Sequence, residues 1–181
     1  GPAAMIAVSR RLTFPAGPIL LLAVLSVLAL FARPLTPIDE TRYVSVAWEM
    51  WQRNEYLVLF KNGEPYSHKP PLLFWLQAVF YWITGSHRIG FLLPSLLAGI
   101  GTLLLVYDLG RRLWSREAGL NAALVLLFAV QFTLQARRAQ LDALLVFFTT
   151  LSLYCLLRQL LLGGGWRWAI GAGIAAGLGT L

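Results

Sequence analysis

The run IGFLLPSLLAGIGTLLLVY, from Ile89 to Tyr107, decides the fold. It carries no charge, and with its flanks it reaches the roughly 20 apolar residues a helix needs to cross a hydrocarbon core about 30 Å thick. Four more charge-free runs surround it: Gly17 to Ala32, Ala118 to Ala136, Ala143 to Leu157 and Trp168 to Leu181. One such run could be a signal peptide, but five spaced runs cannot. Lipid offers the backbone no hydrogen-bond partner, so the spans are expected to be helices. A membrane β-barrel would show alternating segments of about ten residues, and the sequence has none. The expected fold is an all-α integral membrane protein, a multi-span bundle. Composition agrees: 58% of residues are hydrophobic and 13% charged, about half the charge of a soluble domain.

The net charge of +7 fits cytoplasmic loops beside anionic lipid better than nucleic acid, which is excluded as a partner. The single cysteine, Cys155, lies in an apolar run and reads as filler. Residues 1–4, ahead of Met5, read as a tag scar and stand outside the fold argument.

Basic residues thread the chain. Arg10 and Arg11 precede the first run and place the N-terminus in the cytoplasm, and Arg111, Arg112 and Arg116 form the next inner cluster. An odd number of crossings must join them. The apolar stretch 70–84 is too short to span comfortably. It is rich in the aromatics that favour the interface (Phe74, Trp75, Phe80, Tyr81, Trp82), so it is expected to lie flat on the outer surface. The expected spans are then 15–32, 88–109, 117–135, 141–162 and 166–181. Span five carries Gly171, Gly173, Gly177 and Gly179, a spacing that lets helices pack closely. Because the chain stops inside that span, residues 5–181 are expected to be the N-terminal part of a longer membrane domain, with the remainder of the chain as a partner.

Seven Lys and Arg fall inside by this threading and eight outside, so the flipped topology stays open. Five of the outer cations (Arg33, Arg42, Arg53, Lys61, Lys69) share their loop with five acids (Asp39, Glu40, Glu49, Glu55, Glu64). Arg137 and Arg138 have only Asp142 nearby, and an outer site for an anion would account for them.

The charged loop begins TPIDETRY, Thr36 to Tyr43, which has the form of a helix start. Thr36 suits the N-cap, Pro37 the first turn, and Asp39 the position from which a carboxylate reaches back to the cap. Tyr43, Val44, Ala47, Trp48 and Trp51 follow a 3.6-residue period, so 37–53 is expected to be an amphipathic surface helix. Asp39 and Glu40 can serve simply as helix-start carboxylates. NGEPYSHKPP, Asn62 to Pro71, is a turn segment holding Tyr66, His68 and Lys69. It reads either as a solvated loop with a snorkelling lysine or as a polar pocket whose lysine meets a phosphate. QARRAQLD, Gln135 to Asp142, sets an acid at the outer mouth of span four. That acid is either a functional group or the partner of Arg138 one turn back. In this threading all three features share one face of the membrane, at headgroup level.

PIDETRY, NGEPYSHKPPLLFW and RRAQLDALLVFF together resemble the first third of the bacterial membrane glycosyltransferases of the GT-C class. These include the protein O-mannosyltransferase-like enzymes and the aminoarabinose transferases that modify lipid A. The resemblance covers essentially the whole chain after Met5. It implies transfer of a sugar from a polyprenyl-phosphate carrier to lipid A, another glycolipid or a protein. The reaction would run at the outer face of the bacterial inner membrane, with inversion at the anomeric carbon. Asp39 would then be the catalytic base or acceptor-positioning group, with Glu40 beside it, and Asp142 a second important acid. Lys69 would hold the carrier phosphate, helped by Arg137 and Arg138, and Tyr43, Tyr66 and His68 would line the substrate pocket. His68 stands where the aminoarabinose transferases usually carry an acid, and with Asp39 it offers a ligand pair for a divalent metal cation. The sequence has no Gly-rich phosphate loop, consistent with a lipid-linked donor. Two other readings remain: a lipid-phosphate-binding transporter or flippase, and a non-catalytic membrane scaffold.

Overall fold

The computed structural model describes residues 39–67, 69, 71–135 and 139–181, together with Val24 and Leu28, both helical and exposed. The expected span 15–32 otherwise lies outside the described residues. Among the described residues, six helices and one hairpin follow in order: α1 Asp39–Arg53, β1 Phe60–Lys61, β2 Glu64–Pro65, α2 Leu72–Thr84, α3 His87–Leu113, α4 Arg116–Gln135, α5 Ala139–Leu161 and α6 Trp166–Thr180. Among the described residues, two stretches are long and apolar enough to cross a membrane, Ile89–Leu113 in α3 and Asp142–Leu161 in α5.

Local chemistry sets the ends of α3. Ser86 precedes it with its Oγ accepting from the Ile89 backbone N–H at 3.5 Å, and Arg111 and Arg112 fill its last turn. Cations there complement the partial negative charge of a helix C-terminus. The α3–α4 hairpin closes at Trp114 and Ser115. A Cβ on Gly110 would stand 2.7 Å from the Gly119 Cα, so only glycine permits that approach.

The register of the long helices follows from three contacts. Leu144 of α5 packs with Ala98 of α3, and further along Tyr154 meets Asp108, so α3 and α5 run parallel. The intervening α4 runs back between those levels. α6 returns along α5, with the Ser152 Oγ donating to the Ala172 carbonyl at 3.0 Å. Its end reaches α2, where the Leu72 N–H donates to the Leu181 carbonyl at 3.1 Å.

One finding adds to the sequence expectation and one differs from it. The short aromatic stretch is a helix, Leu72–Thr84, and it doubles back along the first three turns of α3. Backbone atoms of Tyr81 face Gly90, the Gln77 side-chain amide donates to the Phe91 carbonyl at 3.3 Å, and Leu73 packs with Ala98. The cause is a tight reversal at Gly85, which caps α2 in the left-handed conformation at φ 63°. The second is a two-stranded hairpin in a chain read as all-helical. Asn62 and Gly63 both have positive φ, 54° and 84°, the pattern of a type I′ turn. Phe60 pairs with Pro65 and Lys61 with Glu64. Strands of two residues leave no periodicity to read. Glu49 of α1 fastens this turn by accepting from the Asn62 and Gly63 N–H groups, and the Arg53 guanidinium lies 4.4 Å from the Phe60 ring centroid.

Candidate functional site

Segments that carry the three sequence features border the N-terminal end of α2. Leu72 and Leu73 open that helix, and they share an apolar cluster with Ala143 and Leu144, the residues directly after Asp142. Lys69, three residues ahead of Leu72, and Asp142, in the first turn of α5, are both exposed and stand within about one helical turn of this junction. The Leu181 carbonyl closes onto it from α6.

α1 arrives at the same junction from the other side. Asp39 and Glu40 stand in its first turn. One turn later Tyr43 packs on Phe74, with ring centroids 6.0 Å apart and planes at 54°. Tyr66 packs on the same cluster, built from Val46, Ala47, Met50, Leu59, Phe74 and neighbours. The apolar stripe of α1 therefore does two jobs: it fills a core with α2, and it brings the acid-bearing turn toward the start of that helix. Trp75, next after Phe74, donates from its indole N–H to the Tyr56 carbonyl at 2.6 Å, which ties the connecting loop to the same place.

Of the residues expected to form the site, Asp39, Glu40, Tyr43, Tyr66, Lys69 and Asp142 belong to segments that converge here. His68, Arg137 and Arg138 lie outside the described residues, and so does one of the two residues suggested for a divalent cation. Among the described residues, no three His, Cys, Asp or Glu side chains gather as a metal site would require.

The opposite end of the bundle holds a polar network that sequence reasoning did not assemble. The Asp108 carboxylate accepts from Arg111 Nε at 2.8 Å, Arg112 Nε at 2.6 Å and the Tyr154 hydroxyl at 2.6 Å. Arg158 lies over the Trp168 ring, 4.6 Å from its centroid. The i,i+3 and i,i+4 spacing of Asp108, Arg111 and Arg112 is visible in the sequence. The tyrosine, 46 residues away, is not.

Comparison with known proteins gives a consistent picture. Residues 68–181, more than half of the chain, match the model of the family described as dolichyl-phosphate-mannose-protein mannosyltransferase. An uncharacterized protein of Aquifex aeolicus (strain VF5) is 34% identical over 117 residues, covering 64% of this chain and 23% of its own length. The undecaprenyl phosphate-alpha-4-amino-4-deoxy-L-arabinose arabinosyl transferase 2 of Sodalis glossinidius (strain morsitans) is 29% identical over 169 residues, covering 91% of this chain and 31% of that protein. In fold, the chain resembles the crystal structure of ArnT from Cupriavidus metallidurans in the apo state, with a TM-score of 0.77 and 23% identity over 91% of this chain and 32% of that one. The chain thus spans less than a third of the length of these relatives.

Proposed function

Because the chain belongs to the dolichyl-phosphate-mannose-protein mannosyltransferase family, we propose that it forms the N-terminal part of a multi-pass enzyme that moves a sugar from a polyprenyl-phosphate carrier to an acceptor. The acceptor is lipid A, another glycolipid or a protein, and the reaction takes place at the outer face of the bacterial inner membrane. The observation that supports this reading is that the segments bearing Asp39, Lys69 and Asp142 border the start of α2, through Tyr43 on Phe74 and Leu73 on Leu144. An apolar cleft of about 380 Å³, lined by Trp51, Tyr56, Trp75, Ala78, Val79 and Trp82, runs along α2 beside the last turn of α1. Tryptophan and tyrosine settle at headgroup level, where a lipid-linked sugar would present its phosphate.

Chemistry assigns the roles. The acceptor hydroxyl oxygen attacks the anomeric carbon from the face opposite the phosphate, which inverts that centre. Asp39 takes the hydroxyl proton as the new bond forms. The bond from carbon to phosphate oxygen breaks, and the carrier phosphate leaves with the electron pair. Lys69 balances the charge on that phosphate as a compact cation, with Arg137 and Arg138 adding to it. Asp142 and Glu40 hold the acceptor in line, and Tyr43, Tyr66 and His68 wall the pocket.

The test uses the purified full-length enzyme and a polyprenyl-phosphate sugar. Asp39→Asn keeps the size of the side chain and its capping capacity. Loss of a general base lowers turnover about 10²- to 10⁴-fold, with the melting temperature and carrier binding retained. Wild-type turnover in this variant would leave Asp39 as a helix-start carboxylate and nothing more.

A further inference from the structure

A cavity of about 590 Å³ opens at the α3–α4 turn, at the end of the bundle opposite Lys69 and Asp142, and its lining is Tyr107, Arg111, Arg112 and Arg116. Three guanidinium groups around one cavity need a reason. Arg111 and Arg112 are explained in part by Asp108, which fixes both, and by the helix end they complete. Arg116 is not. It opens α4, where a cation opposes the helix dipole, and it is exposed. The Asp108 carboxylate, which also accepts from the Tyr154 hydroxyl, neutralises one charge and fixes two of the arginines that line the cavity.

The surroundings say what kind of ligand fits. Among the described residues, α3 and α5 are the helices with stretches long enough to cross a membrane, and both end here. Trp114 in the α3–α4 turn is 76% exposed, and Trp166 after the α5–α6 turn is 68% exposed. Indole rings bared at the ends of apolar helices settle among headgroups. The two turns together carry Arg111, Arg112, Arg116, Arg158 and Arg167 against Asp108 and Glu117, an excess of positive charge. A cationic pocket at headgroup depth, on the side assigned to the cytoplasm, selects an anionic phospholipid.

We propose that Arg111, Arg112 and Arg116 form a binding site for the phosphodiester headgroup of an anionic phospholipid of the inner leaflet, remote from the sugar-transfer site. The site depends on α3 and α5 crossing the bilayer but not on any transfer reaction, so lipid binding can be tested without activity.

The measurement is native mass spectrometry of the delipidated full-length protein titrated with phosphatidylglycerol or with phosphatidylcholine. The wild type should hold phosphatidylglycerol about tenfold more tightly or better, and Arg116→Gln should lower that preference by roughly fivefold, the weight of one arginine near an anionic surface. Lys61→Gln, on the distant hairpin, should change nothing. Salt gives a second check that needs no variant. Raising it from about 0.1 M to about 1 M shortens the Debye length from about 10 Å to about 3 Å, and the preference should shrink with it. Equal retention of the two lipids, a salt-independent preference, an unchanged Arg116→Gln, or an equal loss in Lys61→Gln would each overturn the proposal. So would displacement of the lipid by inorganic phosphate, which would make this a site for a free anion.

Discussion

Lys69 and Asp39 are exposed to different tests because their proposed work differs. Lys69 is exposed and lies outside every helix and strand, so Lys69→Ala should shift stability by no more than about 0.5 kcal/mol. A charge-assisted contact to phosphate contributes about 1.5–3 kcal/mol. Carrier binding should therefore weaken roughly 10- to 100-fold, measured by titration with polyprenyl phosphate, and turnover should fall besides. Unchanged affinity would remove Lys69 from the phosphate site. Residues at this end are conspicuous in the sequence because ten charges gather in one loop, 33–69, of a chain otherwise poor in charge. Asp108 stands outside that loop. At the end of an apolar run, an acid beside two arginines reads as their neutralising partner. Its meaning depends on Tyr154, whose place beside it is fixed only by the register of α5 on α3.

At the scale of elements, the positions of α3, α4, α5 and α6 follow the charge-free runs to within a few residues, since a run of that kind has few other ways to satisfy its backbone. The path of α2 was not legible. Its length and its aromatics say that it meets the interface, but its direction is set by Gly85 and Gly90. A Cβ on Gly90 would come within 2.7 Å of the Tyr81 backbone, which cannot swing aside as a side chain could. Gly90→Ala should push α2 off α3 and cost about 1–3 kcal/mol, read from the unfolding midpoint of the full-length protein. Gly99, on the same helix, faces open space, so Gly99→Ala should be neutral or gain up to about 1 kcal/mol from helix propensity. Equal stability of the two variants would mean that α2 does not rest on α3 as described. The β1–β2 hairpin was half legible: Asn62-Gly63 announces the turn, while Glu49, thirteen residues upstream, decides where it docks.

For the whole molecule, the parallel course of α3 and α5 sorts the polar residues into two ends. Asp39, Lys69 and Asp142 stand toward one, and Asp108, Arg112 and Arg116 toward the other. The proposed topology puts the first end outside the cell membrane and the second inside. In a Cys155→Ala background, Glu55→Cys should react with a membrane-impermeant maleimide in intact spheroplasts. Ser115→Cys should react only after lysis; both positions are exposed. The reverse pattern would invert the protein and move the proposed transfer site to the cytoplasmic face.

The contact between the start of α2 and the residues after Asp142 also has a place in time. The pairings of Tyr81 with Gly90 and of Gly110 with Gly119 join near neighbours in sequence and can form as soon as each hairpin leaves the ribosome. Leu73 must wait for Leu144, and the Leu72 amide for the Leu181 carbonyl. At about 5–20 residues per second, a gap of about 110 residues is an interval on the order of 5–20 seconds. During synthesis, then, the α3–α4 hairpin can form before the start of α2 finds its partners, and Lys69 leaves the ribosome well ahead of Asp142, the acid proposed to work beside it.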